Sequence, residues 1–256
     1  LGTALSVWIG AGAYFGFALL YARPYGFLSH WPTQKQWKQL LTMSIPTGVE
    51  RLFFAFGMTL FMTMIGWVGE RELAASNVIL NLFLTAILPA LAFGITSATL
   101  VAKSMGAQQP HEAIMWRWTV SLWSLGVLCL IGFVFWIYPE EVTLIFTEDQ
   151  ATLGLIKETL VMMAFFLPAE AFHMVVHQSL LGLGDNRFVM CLTLGMQWLI
   201  MLPLVYFVGV NCALGLSSIW LVHFTGRVII LMLLTIRWRA YLKKHILSLR
   251  KKPEQL

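Results

Sequence analysis

Charge is what this sequence has least of. Only 11% of its 256 residues are Asp, Glu, Lys or Arg, whereas soluble domains carry roughly a quarter. With 59% apolar residues and a mean hydropathy of +0.77, the chain belongs in a bilayer rather than in water. It has no Walker loop, no Ser/His/Asp set and no nucleotide fingerprint, which leaves an ATP-driven pump unsupported. The three cysteines, Cys129, Cys191 and Cys212, are far apart and form no CxxC pattern, so they read as small packing residues. Net charge is +5, but the basic residues flank apolar runs and make no continuous face, which excludes a nucleic-acid partner. The chain opens at Leu1 in apolar sequence, without a charged n-region. That is the expectation for a start inside a helix of a longer protein, not for a signal peptide.

What is present is a series of apolar runs about 20 residues long. They predict an all-α integral membrane fold with seven transmembrane helices. The runs are about Leu1 to Ala22, Leu41 to Val68, Leu73 to Ala102, Trp118 to Tyr138, Leu155 to Leu181, Phe188 to Val208, and Gly215 to Trp238. Residues 23–42 read as an amphipathic connector at the lipid interface, with Lys35, Trp37 and Lys38. Lys103 to Arg117 and Pro139 to Gln150 read as loops, and 239–256 as a basic tail. The 11 tryptophans suit interfacial belts.

Lys and Arg divide unequally between the two sides of these spans. Arg23, Lys35, Lys38, Lys103, Arg117, Arg187, Arg237 and the six of the tail fall on one side, and only Arg71 and Lys157 on the other. The positive-inside rule therefore places the connector, the Gly106 and Gly184 loops and the C-terminus in the cytoplasm.

Ionisable residues inside the spans are functional candidates, because lipid tolerates a charge only when it is paired, protonated or facing a polar cavity. Glu170 lies in the middle of the fifth run, and His173 and His177 share its helical face. Pro168, just before it, removes a backbone donor and frees a carbonyl. Glu50 and Arg51 lie in the second run; His223 and Arg227 share a face of the seventh. Asn77 and Asn81 lie one turn apart on the third. The plain structural reading pairs Glu170 with Arg227 between packed helices. The functional reading makes Glu170 a site where protons, Na⁺ or organic cations compete. Glu170, His173 and His177 also have metal-ligand spacing, which keeps open a membrane metalloprotein.

Several segments carry a family resemblance. They are Ser44-Ile45-Pro46-Thr47-Gly48-Val49-Glu50, Leu73-Ala74-Ala75-Ser76-Asn77 with Leu80-Asn81, Val101-Ala102-Lys103-Ser104-Met105-Gly106-Ala107, Phe146-Thr147-Glu148-Asp149, and Leu180-Leu181-Gly182-Leu183-Gly184-Asp185. In this order and spacing the chain resembles the C-terminal half of MATE (multidrug and toxic compound extrusion) transporters. The resemblance implies that 43–238 form a six-helix lobe and that 1–22 are the last helix of an N-terminal lobe lying outside this sequence. It further implies a multi-pass cell-membrane protein that exports cationic amphipathic compounds by antiport, and not an enzyme. No cofactor is implied beyond Na⁺ or H⁺ as the coupling ion, and no resident metal.

Glu170 stands fifteen positions before Asp185, the place of the family's acid on its tenth helix, and so inherits a cation-coupling role. Glu50 is the candidate for a second acid, although several members carry theirs one turn deeper, where this chain has Phe54. Candidates to line the cavity or bind substrate are Asn77, Asn81, His173, His177, Arg51 and Arg227. The partners implied are small cationic substrates, the bilayer and the N-terminal lobe. A lipid-linked oligosaccharide flippase of the same superfamily is the alternative reading.

Overall fold

The structure, a computed structural model, describes residues 2–21, 33–146 and 149–250. All regular structure among them is helical: α1 (Gly2–Tyr21), α2 (Gln34–Val68), α3 (Glu70–Gly106), α4 (Pro110–Ile137), the short α5 (Pro139–Leu144), α6 (Gln150–Gly182), α7 (Asn186–Gly195), α8 (Leu202–Tyr206) and α9 (Leu216–Arg250). A π-helical segment, Met196–Met201, joins α7 to α8, and a second, Phe207–Asn211, continues α8. The chain divides into two compact units, Leu1–Ile45 and Pro46–Leu256.

Six helices among the described residues are long and apolar enough to cross a membrane: Gln34–Val68, Glu70–Gly106, Pro110–Ile137, Thr152–Gly182, Asn186–Asn211 and Leu216–Lys243. The first apolar run forms α1, in the other unit, and is not one of these six. The seven apolar runs expected thus appear as these six long spans and α1, itself an apolar helix of 20 residues.

The helices also start earlier and end later than the apolar runs. The expected connector, where it is described, is the start of α2. Thr33 and Gln36 form a capping box there: the Gln36 side chain accepts from Thr33 N (2.8 Å) and Thr33 Oγ1 accepts from Gln36 N (3.4 Å). Most of the expected loop at 103–117 is helix too, because Pro110 begins α4 at a position where a missing N–H is harmless. The basic tail continues α9 to Arg250. Its first turn is docked: Leu242 is buried, and the Tyr241 hydroxyl donates to Leu183 O (3.4 Å). Trp31 and the segment Thr147-Glu148 lie outside the described residues.

In the second unit, α6 is the central helix, packed by α3, α4 and α9. Small residues permit the close approach. A Cβ on Gly182 would come within 2.5 Å of Ala98 O on α3, so these two backbones are nearly in contact, as in membrane helix pairs generally. Nearby, Ser97 and Ser179 share a buried hydroxyl–hydroxyl bond of 2.8 Å. Helix α6 runs unbroken through Pro168, and Gly132 of α4 lies against Ala164 O, the carbonyl that Pro168 cannot bond.

Apolar packing forms two clusters. One gathers Phe61, Ile79, Phe83, Leu128, Leu160, Leu167, Trp220 and their neighbours. The other gathers Val101, Ala113, Val176, Leu180, Val189, Leu234 and Trp238 at the opposite end of the bundle. On α6 the first cluster ends at Ala171 and the second begins at Val176; on α9 they end and begin at Phe224 and Ile230. Arg227 of α9 and His173 of α6 fall in that gap, and Glu170 lies at its edge, next to Ala171.

Candidate functional site

Glu170 is buried, with 4% of its surface exposed, and its carboxylate faces α9. Arg227 grips it with two donors: Nε to Oε2 at 3.0 Å, and Nη2 to Oε1. This two-pronged geometry is what a planar guanidinium offers a carboxylate. The anticipated Glu170–Arg227 pairing is thus present.

His173, one turn on, is drawn into the pair. Its Nδ1 lies 3.3 Å from Glu170 Oε1 and 3.1 Å from Arg227 Nη2. It can donate to the carboxylate or accept from the guanidinium, but not both, so the position of one proton decides which bond exists.

His177 shares the face but turns to another helix. Its Nε2 lies 2.8 Å from Glu50 Oε1 on α2, and Thr193 Oγ1 of α7 donates to the same oxygen at 3.1 Å. The two histidine rings stand 5.8 Å apart, centre to centre. The result is one polar chain from Arg227 through Glu170, His173 and His177 to Glu50 and Thr193, joining α9, α6, α2 and α7. His173 Nε2 and His177 Nδ1 are buried with no partner among the described residues. Because His177 turns to Glu50, the three side chains of the Glu170 face do not close on one point. Among the described residues no three His, Cys, Asp or Glu groups converge as metal ligands.

Three further residues frame this chain. Gln197, in the first π-helical segment, donates to Phe54 O at 3.2 Å, one turn beyond Glu50. Gly57 makes room for it, since a Cβ there would overlap the Gln197 amide. His223 is 2% exposed and boxed by Phe61, Phe83, Trp220 and Phe224, and among the described residues neither ring nitrogen has a partner. A small cavity borders the Glu170–Arg227 pair, lined in part by Phe83, Phe166 and Phe224.

The remaining candidates are elsewhere. Asn77 and Asn81 lie on an exposed stripe of α3, each donating to a carbonyl one turn back on its own helix, at 3.1 and 2.9 Å. Arg51 is exposed on α2 and makes no bond within the Glu50 group. Thr193 and Gln197 were not singled out from the sequence. Gln197 stands alone in Met196-Gln197-Trp198, and a lone amide within an apolar span was signal enough to find it.

A family model described as MatE matches residues 46–207. The uncharacterized transporter YisQ of Bacillus subtilis is 24% identical over 204 residues, covering 79% of this chain and 45% of that protein. A probable multidrug resistance protein NorM of Brucella suis is 26% identical over 199 residues, covering 75% of this chain and 42% of its own length. Among solved structures, a MATE protein in its straight conformation superposes with a TM-score of 0.81 at 15% identity, over 91% of this chain and 54% of that one. This chain spans less than half the length of those two curated relatives.

Proposed function

This chain belongs to the MatE family of multi-pass membrane transporters, and on that premise we propose that it is one lobe of a secondary multidrug exporter. In this reading the whole protein exports cationic amphipathic compounds by antiport, with its C-terminus in the cytoplasm. An N-terminal lobe completes the substrate path. The observation that carries the proposal is the buried chain from Arg227 through Glu170, His173 and His177 to Glu50.

The chemistry follows from charge. Ionised, Glu170 holds α6 to α9 through Arg227, and Glu50 holds α2 to α6 through His177. Protonation of either carboxylate removes the anion that its partners need, and that tie weakens. Helices tied in one protonation state and loosened in the other constitute a two-state element that an ion gradient can bias. Of the two coupling ions the geometry favours the proton. Both Glu170 oxygens and one of Glu50 already accept protein donors, and a fixed guanidinium repels a metal cation. Sodium prefers a cage of several free oxygens.

The flippase reading requires cations free to meet a pyrophosphate. Arg227 is committed to Glu170, which weighs against it.

The test is efflux of a fluorescent organic cation from vesicles containing the full-length protein, with Na⁺ and proton gradients imposed separately. Transport is expected with the proton gradient and is expected to vanish in Glu170→Gln. Transport driven by Na⁺ alone would overturn the choice of ion. Full efflux in Glu170→Gln would overturn the site.

A further inference from the structure

At the end of the bundle formed by the second apolar cluster, Arg117 is left incompletely satisfied among the described residues. Arg117 lies seven residues into α4, about 10 Å from the start of that helix at 1.5 Å per residue. Its guanidinium carbon stands 5.7 Å from the Trp118 ring and 5.3 Å from the Trp238 ring of α9. The indoles stabilise its charge, but they accept none of its N–H groups in the ordinary way. Nε is buried without a partner, and among the described residues neither terminal nitrogen has an acceptor or a salt bridge.

A second cation makes this worse. Arg239 is exposed one residue beyond Trp238, and its like charge bears on Arg117. The carboxylates at this end do not compensate. Asp185 is taken by Arg237 through two bonds of 2.6 and 3.1 Å, and Glu112, in the first turn of α4, makes no bond to Arg117. A half-buried guanidinium whose buried Nε lacks a partner, beside a second arginine, is costly unless an anion joins them.

The level of the site indicates what that anion is. Arg239 lies four residues before the end of the last membrane-length span, with Lys243 exposed one turn further on. Trp118 is about half exposed. Arginine flanked by tryptophan at a helix end sits at the depth of lipid headgroups, where a basic recess between helices can take a phosphate.

We propose that Arg117 and Arg239, bracketed by Trp118 and Trp238, form a binding site for the headgroup phosphate of an anionic phospholipid. The phosphate oxygens accept from the terminal nitrogens of both arginines, and the Trp118 indole packs against the glycerol and upper acyl chain. The site is separate from the Glu170 chain and does not depend on the coupling ion.

The bracketing tryptophan supplies the measurement. The full-length protein is placed in phosphatidylcholine vesicles containing a fixed fraction of brominated phosphatidylglycerol, or the same fraction of brominated phosphatidylcholine, and tryptophan fluorescence is recorded. Brominated phosphatidylglycerol should quench more, and Trp118→Phe should remove most of the excess. In R117Q/R239Q the excess should need on the order of tenfold more anionic lipid, the loss expected for charge-assisted contacts. Inorganic phosphate should leave the excess unchanged. Should R117Q/R239Q fail to fold, R239Q alone carries the test, because Arg239 is exposed and its loss should still raise the lipid requirement. Equal quenching by the two lipids would overturn the proposal, as would an excess that survives the substitutions. Displacement by inorganic phosphate would assign the site to the free ion and overturn the lipid.

Discussion

On α3, Asn77, Asn81 and Thr85 each donate to a carbonyl one turn back on their own helix; on α6, Glu170, His173 and His177 reach α9 and α2. Both are polar stripes at helical spacing within membrane-length spans, and in the sequence both were candidates for the same cavity. An amide or hydroxyl can bond a carbonyl of its own helix, so each residue of the α3 stripe keeps a hydrogen bond while its face stays exposed. A carboxylate or guanidinium cannot be neutralised by its own backbone and must find a partner on another helix. Amide stripes therefore tolerate isolation, whereas ionic groups hold helices together.

The sharpest way to break that contrast is Arg227→Met. It leaves the buried Glu170 carboxylate without its main partner, so a loss of about 3–5 kcal/mol is expected. Thermal unfolding of the full-length protein in detergent measures it. Adding Glu170→Gln to the same variant should recover most of the loss; a double variant as unstable as the single one would mean that the two residues are not coupled. Glu50→Gln should cost less, about 1–3 kcal/mol, because Thr193 and His177 can still bond an amide. Gly57→Ala pushes against Gln197 and its bond to Phe54 O, with an expected cost of about 1–3 kcal/mol in the same assay. A neutral result there would indicate that the amide moves aside freely.

On the other stripe, Asn81→Leu should change stability by no more than about 0.5 kcal/mol. A fall in organic-cation efflux at unchanged stability would assign Asn81 to the substrate path. The smallest effect is expected at the exposed pair of Glu140 and Lys157. The Lys157 ammonium beside it holds the Glu140 carboxyl below the usual carboxylate range. The stability this pair contributes is therefore present above the ordinary carboxylate pKa and is lost as pH falls through the lowered one. Removing it with Glu140→Gln should flatten the acid limb of the unfolding profile slightly, and high salt should do the same.

The helices and their order were legible in the sequence because twenty apolar residues have few alternatives in a bilayer. Their ends were less so. The capping box at Thr33 and Gln36 starts α2 before its apolar run, and Pro110 starts α4 well ahead of Trp118, because polar turns also fold as helix when a cap satisfies their first donors. The π-helical segments around α8 left no readable mark, since they arise where packing inserts a residue into an otherwise regular helix.

The sequence by itself determined that this is an all-helical membrane chain and that Glu170, His173 and His177 share one face, since composition and a period of 3.6 residues are local properties. Only the tertiary structure decided that His177 leaves that face for Glu50, that Thr193 and Gln197 join the group, and that Asn77, Asn81 and Arg51 do not. Those outcomes depend on which helix lies across from which, and a buried charge is completed by whatever donor the neighbouring helix brings within about 3 Å.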